Sequence, residues 1–147
     1  MQAREAVYAG FGKRFLAALL DGLILSIINW IVGFVIGLIL SPIVGRSEGG
    51  AAASAGLLGG LVGVLISWLY YAVQESSAKQ ATIGKQALGI VVTDLDNNRI
   101  SFVQATIRYF SKILSTLILM IGYLMVLFTE KKQALHDIIA GTLVVNK

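Results

Sequence analysis

The run "KRFLAALLDGLILSIINWIVGFVIGLIL", residues 13–40, is long and apolar enough to cross a bilayer, yet it carries Arg14 at its mouth and Asp21 inside it. A charged side chain near the middle of a bilayer costs roughly 2.5–3.5 kcal/mol on insertion scales, so such residues are rare and suggest function by default. Any fold for this chain has to provide for both.

Of 147 residues, 56% are hydrophobic and only 14% are charged. Soluble domains carry about 25% charged residues, so this composition reads as an integral membrane protein of one compact domain. The absence of cysteine excludes disulfides and thiolate metal sites. A formal net charge of +4 need not mean nucleic acid, because the basic residues cluster beside the hydrophobic segments, where they record topology. The apolar run is also far longer than the 7 to 15 residues, roughly, of a signal-peptide core, and Asp21 interrupts it, so it reads as a retained helix.

Helix one is expected over about 13–40, stopping at Pro42, which cannot continue a helix without losing a hydrogen bond. Helix two is expected over about 51–73. Small residues recur along both: Gly33 and Gly37 in the first, Gly56, Gly60 and Gly63 in the second. Such stripes let membrane helices approach closely, and the simplest use is packing of helix one on helix two, with homo-oligomer packing as the other. From about 74 to 102 the chain turns polar, and "GIVVTDLDNNRISF" has the pattern of a β-hairpin outside the membrane, with "GTLVVNK" available as a third strand.

The segment from about 103 to 129 is amphipathic at first and then apolar for too short a stretch to make a comfortable span. If it crosses, eight of the twelve basic residues lie on one side and four on the other. If it dips and returns, Arg46 alone is separated, and the positive-inside rule prefers that arrangement. The expected fold is therefore an α-helical membrane protein. It has two full transmembrane helices, a third short or re-entrant hydrophobic segment, a small cytoplasmic β element, a C-terminal segment over 130–147, and both termini cytoplasmic.

Several motifs fail on inspection. "TIGKQ" lacks the glycine that a phosphate loop needs five residues before Gly84, where Lys79 stands. "DLDNNR" opens like a calcium loop, but Arg99 and Ala105 occupy its glycine and glutamate positions, which leaves a turn. His136 is the single histidine, so no His-pair zinc site exists. Neither a metal, a cofactor nor an enzymatic nucleophile–base pair is expected. The intramembrane charges remain. Arg14 and Asp21 stand nearly two turns apart on one face with Ala17, Ala18 and Leu25, about 10 Å along the axis, so each needs another partner. Asn29 adds a polar group deeper on a neighbouring face.

"GFGKRFLAALLDGLIL", "TIGKQALGIVVTD", "RYFSK" and "LHDIIAGTLVV", in that order, resemble the blocks of the RDD family of small membrane proteins, from about Tyr8 to Val145. The resemblance places the family's arginine on Arg14, its helix-one aspartate on Asp21, its His-Asp pair on His136 and Asp137, and its Thr-x-Gly-Lys block on Thr82, Gly84 and Lys85. It implies transport of ions or small solutes, with sodium/proton exchange proposed for some relatives, and it points to a bacterial cytoplasmic membrane. Arg14, Asp21 and Asp137 could then form one site. In the re-entrant arrangement Asp137 returns to the interface near Arg14, where an arginine–carboxylate pair is geometrically reasonable, while Asp21 would exchange a proton for a cation.

Plainer roles compete with each of these. Arg14 suits a lipid-phosphate anchor, Asp21 a helix-to-helix hydrogen bond, and Asp137 a helix cap. The expected partners are the lipid bilayer, further copies of the chain and, on the alternative that the protein assembles or regulates rather than transports, another membrane protein.

Overall fold

A helix whose apolar side chains face outward needs lipid around it, and two helices here have that character. The computed structural model describes residues 7–44, 50–118 and 121–147. Helix α1 spans Phe11–Val44 and α2 spans Gly50–Glu75, and within them Phe11–Pro42 and Ser54–Glu75 are long and apolar enough to cross a membrane. Trp30, Phe34, Leu38, Leu57 and Leu61 all lie exposed on these helices. Burial on α1 is confined to one line near its start: Ala17, Asp21 and Leu25.

Helix α1 runs past the expected stop and holds Pro42 inside its last turn. Proline removes the N–H that would bond the Leu38 carbonyl. The Ser41 hydroxyl donates to that carbonyl instead, at 3.1 Å, which is how the helix continues. The loop that carries Arg46 lies outside the described residues.

After α2 the chain forms a short helix α3, Ile83–Ala87, and strand β1, Ile90–Asp94. The expected hairpin is not formed. Past Asp94 the chain makes a turn in which the Asp94 carboxylate accepts from the backbone of Asp96 and Asn98, and a single bridge, Thr93 to Arg99, follows. Ser101 then starts a helix, because its hydroxyl accepts from Gln104 N while the Gln104 side chain accepts from Ser101 N. The capping box takes the residues that would have been the second strand.

Strand β1 instead pairs antiparallel with β2, Thr142–Asn146, with Val92 opposite Val144. Residues 7–9 lie along the other edge of β2: Asn146 N donates to Val7 O and Ala9 N to Val144 O, each at 2.8 Å. The start of α1, the sheet and the end of the chain are thereby fastened at one end of the molecule.

Helix α4, Phe102–Leu117, is amphipathic in the reverse sense to a soluble helix. Ala105, Arg108, Ser111 and Ser115 are buried, whereas Val103, Ile107, Phe110, Ile113 and Leu114 are exposed. A polar inner face and an apolar outer face suit a helix bathed in lipid. The chain then bends by 114° into α5, Ile121–Leu124, and a 3-10 turn at Met125–Leu127. Gly122 is required at this bend, since a Cβ there would lie 2.9 Å from the Ser115 hydroxyl. Two spanning helices and a bent third pair thus form the membrane portion. Helix α6, Leu135–Ala140, follows and packs on α4.

The glycine stripes do not close α1 on α2. A Cβ added at Gly33, Gly37, Gly56 or Gly60 would meet nothing within 4 Å, and only Gly63 has a close neighbour, the Asn29 side chain. The two helices meet instead near Asn29 and, further toward the sheet, where Tyr70 reaches Asp21.

Candidate functional site

Asp21 sits on the buried line of α1, level with the end of α2 and the loop leading into α3. Its Oδ1 accepts from the Tyr70 hydroxyl at 2.7 Å and from Gly84 N at 2.8 Å, and its Oδ2 accepts from the Thr82 hydroxyl at 2.6 Å. Three neutral donors from two other elements converge on one carboxylate. The Thr-x-Gly-Lys residues each have a part in this. Thr82 caps α3 while donating to Asp21. Gly84 lets the loop press onto α1, since a Cβ there would run into the Ala17 carbonyl oxygen and stand 2.9 Å from Asp21 Cγ. Lys85 turns the other way and pairs with Glu75 at the end of α2.

That pair belongs to a second arrangement. Arg108, at the middle of α4 and only 2% exposed, donates from Nη1 to Glu75 Oε2 at 2.7 Å, and from Nε and Nη2 to Asp137 Oδ1 at 2.9 and 2.7 Å. Arg14 donates from Nη2 to Asp137 Oδ2 at 2.5 Å. The same oxygen accepts from Ala134 N at 3.0 Å, so Asp137 also caps α6. Lys112, one turn after Arg108, holds its ammonium 4.0 Å from Glu75 Oε1 and 3.7 Å from the centre of the Tyr71 ring. His136 places Nε2 3.5 Å from Asp137 Oδ1 and Nδ1 3.4 Å from the Ser115 hydroxyl.

Electrostatics follows from burial and charge together. Burial alone would push the Asp137 carboxyl up, but Arg108 and then Arg14 hold it well below the usual carboxylate range. For His136 burial wins over the attraction of Asp137, so the imidazole pKa falls well below its ordinary value and the ring is neutral. Burial likewise pulls the Lys85 ammonium down, against the charge of Glu75.

Around these groups lies a cavity of about 140 Å³. Arg14, Asp21, Lys85, Arg108, Lys112 and His136 provide its polar wall. Tyr71 and Tyr123 add their rings, and the apolar part comes from Phe11, Phe15 and Ala18 of α1 and Val126 of the 3-10 turn, among others.

The residues predicted from sequence therefore separate into groups. Arg14 and Asp137 pair, with His136 beside them. Asp21, Thr82 and Gly84 form a hydrogen-bonded knot next to that pair, and Lys85 pairs with Glu75 on the other side. Asn29 lies apart from both, beside Gly63. Tyr70, Arg108 and Lys112 are the members that sequence reasoning did not assign, and Glu75 reads from sequence first as an interfacial residue. The signal for two of them was the i, i+4 spacing of Arg108 and Lys112 on a helix whose other face is apolar.

Comparison with known proteins gives a consistent picture. The family model described as "RDD family" matches residues 8–141. "Uncharacterized protein YxaI" of Bacillus subtilis (strain 168) is 48% identical over 82 residues, which cover 56% of this chain and 54% of that protein. The chain thus aligns with about half the length of this curated relative, whose name assigns no activity. No solved structure matches the chain.

Proposed function

Because the chain belongs to the RDD family, we propose that this membrane protein transports an ion or small solute across a bacterial cytoplasmic membrane, working as a homo-oligomer. The observation that carries this reading is the buried network around the cavity, in which Arg108, Glu75 and Asp137 are each at most 2% exposed. Burying charges costs several kcal/mol, roughly, per ion, and well-packed apolar groups of equal volume often hold a fold as well. Ionisable groups gathered at the end of membrane helices are therefore read first as a solute or ion site.

Two spanning helices and a bent pair do not enclose a pathway, so transport needs further copies. The open faces at Gly33, Gly37, Gly56 and Gly60 suit close helix contact between them. Fastening of residues 7–9 to β2 supports an arrangement with both described ends on one side of the bilayer. With a re-entrant third pair, the basic residues among the described ones all fall on that side, which supports a cytoplasmic near side by the positive-inside rule. Sodium/proton exchange on Asp21 is the form of transport this geometry supports least, because neutral donors already occupy both carboxylate oxygens.

The same open glycine faces support a second reading, a non-transporting protein that assembles with or regulates another membrane protein. Proteoliposomes with a trapped pH dye, challenged in turn with sodium, potassium and phosphate jumps, separate the two. A protein-dependent response supports transport. Vesicles indistinguishable from empty ones, together with a strictly monomeric protein in a membrane mimic, leave the partner reading.

A further inference from the structure

Charge is unevenly distributed around the cavity. Its wall presents four cations, Arg14, Lys85, Arg108 and Lys112, against one carboxylate, Asp21, while Glu75 and Asp137 do not line it. Two of the cations are committed elsewhere: Arg108 bonds both carboxylates through three nitrogens, and Lys85 pairs with Glu75. The other two have capacity left. Among the described residues the Arg14 guanidinium donates only from Nη2, to Asp137. The Lys112 ammonium makes no hydrogen bond among the described residues, only the 4.0 Å approach to Glu75 and the contact with the Tyr71 ring.

No fully buried side-chain nitrogen or oxygen among the described residues lacks a partner. The idle N–H groups of Arg14 and Lys112 are therefore accessible, and the space that both side chains border is the cavity. A planar guanidinium and a compact ammonium on the wall of one cavity are a donor set for oxyanions, the first for directional hydrogen bonds and the second as a point charge. The space suffices too, since cavities of about 150 Å³ admit a ligand as large as benzene. The apolar part of the wall, with Phe15 half exposed on the lipid side of α1, would accommodate a hydrocarbon chain attached to such a headgroup.

We propose that this cavity binds a phosphate-type oxyanion, with Lys112 and Arg14 as its ligands. The phosphate can be that of an anionic lipid headgroup or of a soluble phosphate. The inference rests on the cavity being the working site of the transport reading. It is tested by binding alone, so either can fail without the other.

The experiment titrates the purified full chain, in a neutral maltoside detergent at constant ionic strength set with chloride, with three probes: short-chain phosphatidylglycerol, short-chain phosphatidylcholine and inorganic phosphate. Saturable binding of phosphatidylglycerol but not phosphatidylcholine is expected, weakened at least about tenfold in Lys112→Gln, the loss of one charge-assisted contact. Lys112→Arg keeps the charge and should retain binding, which separates a lost ligand from a lost fold. Phosphatidylglycerol bound without inorganic phosphate identifies the lipid as the source, and both bound with similar affinity identifies the free anion. Binding of neither anion, or binding unchanged in a folded Lys112→Gln protein, overturns the proposal.

Discussion

Asp21 and Asp137 are both buried carboxylates near the same cavity, 1% and 0% exposed, yet opposite means hold them. Asp21 is tied by a tyrosine, a threonine and a backbone N–H, all neutral. Asp137 is held by two arginines and one backbone N–H. The first arrangement fastens α1 to α2 and to the loop before α3, and each donor it uses is consumed. The second gathers more positive charge than it neutralises and leaves donors over. An intramembrane aspartate looks functional from sequence because of its cost, but three neutral donors are enough to meet that cost. The aspartate beyond the membrane segments is the one surrounded by chemistry.

Substitution can break this contrast directly, and the largest effect is expected at Asp137. Asp137→Asn leaves the buried Arg108 with one carboxylate in place of two and Arg14 with a neutral partner, and loss of one member of a buried pair costs about 3–5 kcal/mol. Thermal unfolding in detergent should show a severe drop or no folded protein. A Tm close to wild type would mean that the network is solvated and not buried.

Gly84→Ala is next. The added methyl has nowhere to go between Ala17 and Asp21, and overpacking of this kind costs roughly 1–3 kcal/mol. A stable variant would show that the loop before α3 can withdraw from α1.

Asp21→Asn should cost less, about 1–2 kcal/mol. The carboxamide keeps one acceptor, and the Thr82 hydroxyl can reverse to accept from the new NH₂. An effect as large as that of Asp137→Asn would show that Asp21 depends on the cations around the cavity more than on its three neutral donors.

The smallest effect is a pH slope. His136 has a depressed pKa in the fold, so its contribution to stability is complete above the unfolded value of about 6.5 and is lost as pH falls toward the folded value. Stability of the wild type should therefore decline between pH 7 and 5, and His136→Gln should flatten that decline. Asp137, also depressed, adds a loss that begins only near its unfolded value of about 3.9, so the two ranges are separable.

The outline of the fold was legible in the sequence wherever hydrophobic length decided it. The two spans, the bend after α4 and the return of Asp137 to Arg14 all follow from apolar runs and charge balance. The strand pairing was half legible. β1 and β2 are both β-branched runs, but the hairpin reading overlooked the Ser101–Gln104 capping box, a local signal that outweighs a weak second strand. The environment of Asp21 was legible only in part: the resemblance singled out Thr82 and Gly84 without showing that they meet Asp21. Tyr70, Thr82 and Gly84 stand 49 to 63 residues away, and a neutral donor carries no pattern that marks it as the partner of a distant acid. Arg108 and Lys112 could have been found, because polar residues at helical spacing on an otherwise apolar helix must face inward in lipid.

The central claim is that the cationic cavity works while Asp21 supports it. Flux into proteoliposomes, driven by whichever jump the wild type responds to and normalised to folded protein, tests this with Lys112→Gln and Asp21→Asn side by side. The account predicts that Lys112→Gln keeps its Tm and loses flux, whereas Asp21→Asn lowers Tm and its folded fraction still conducts. Flux abolished in folded Asp21→Asn and intact in Lys112→Gln would contradict it.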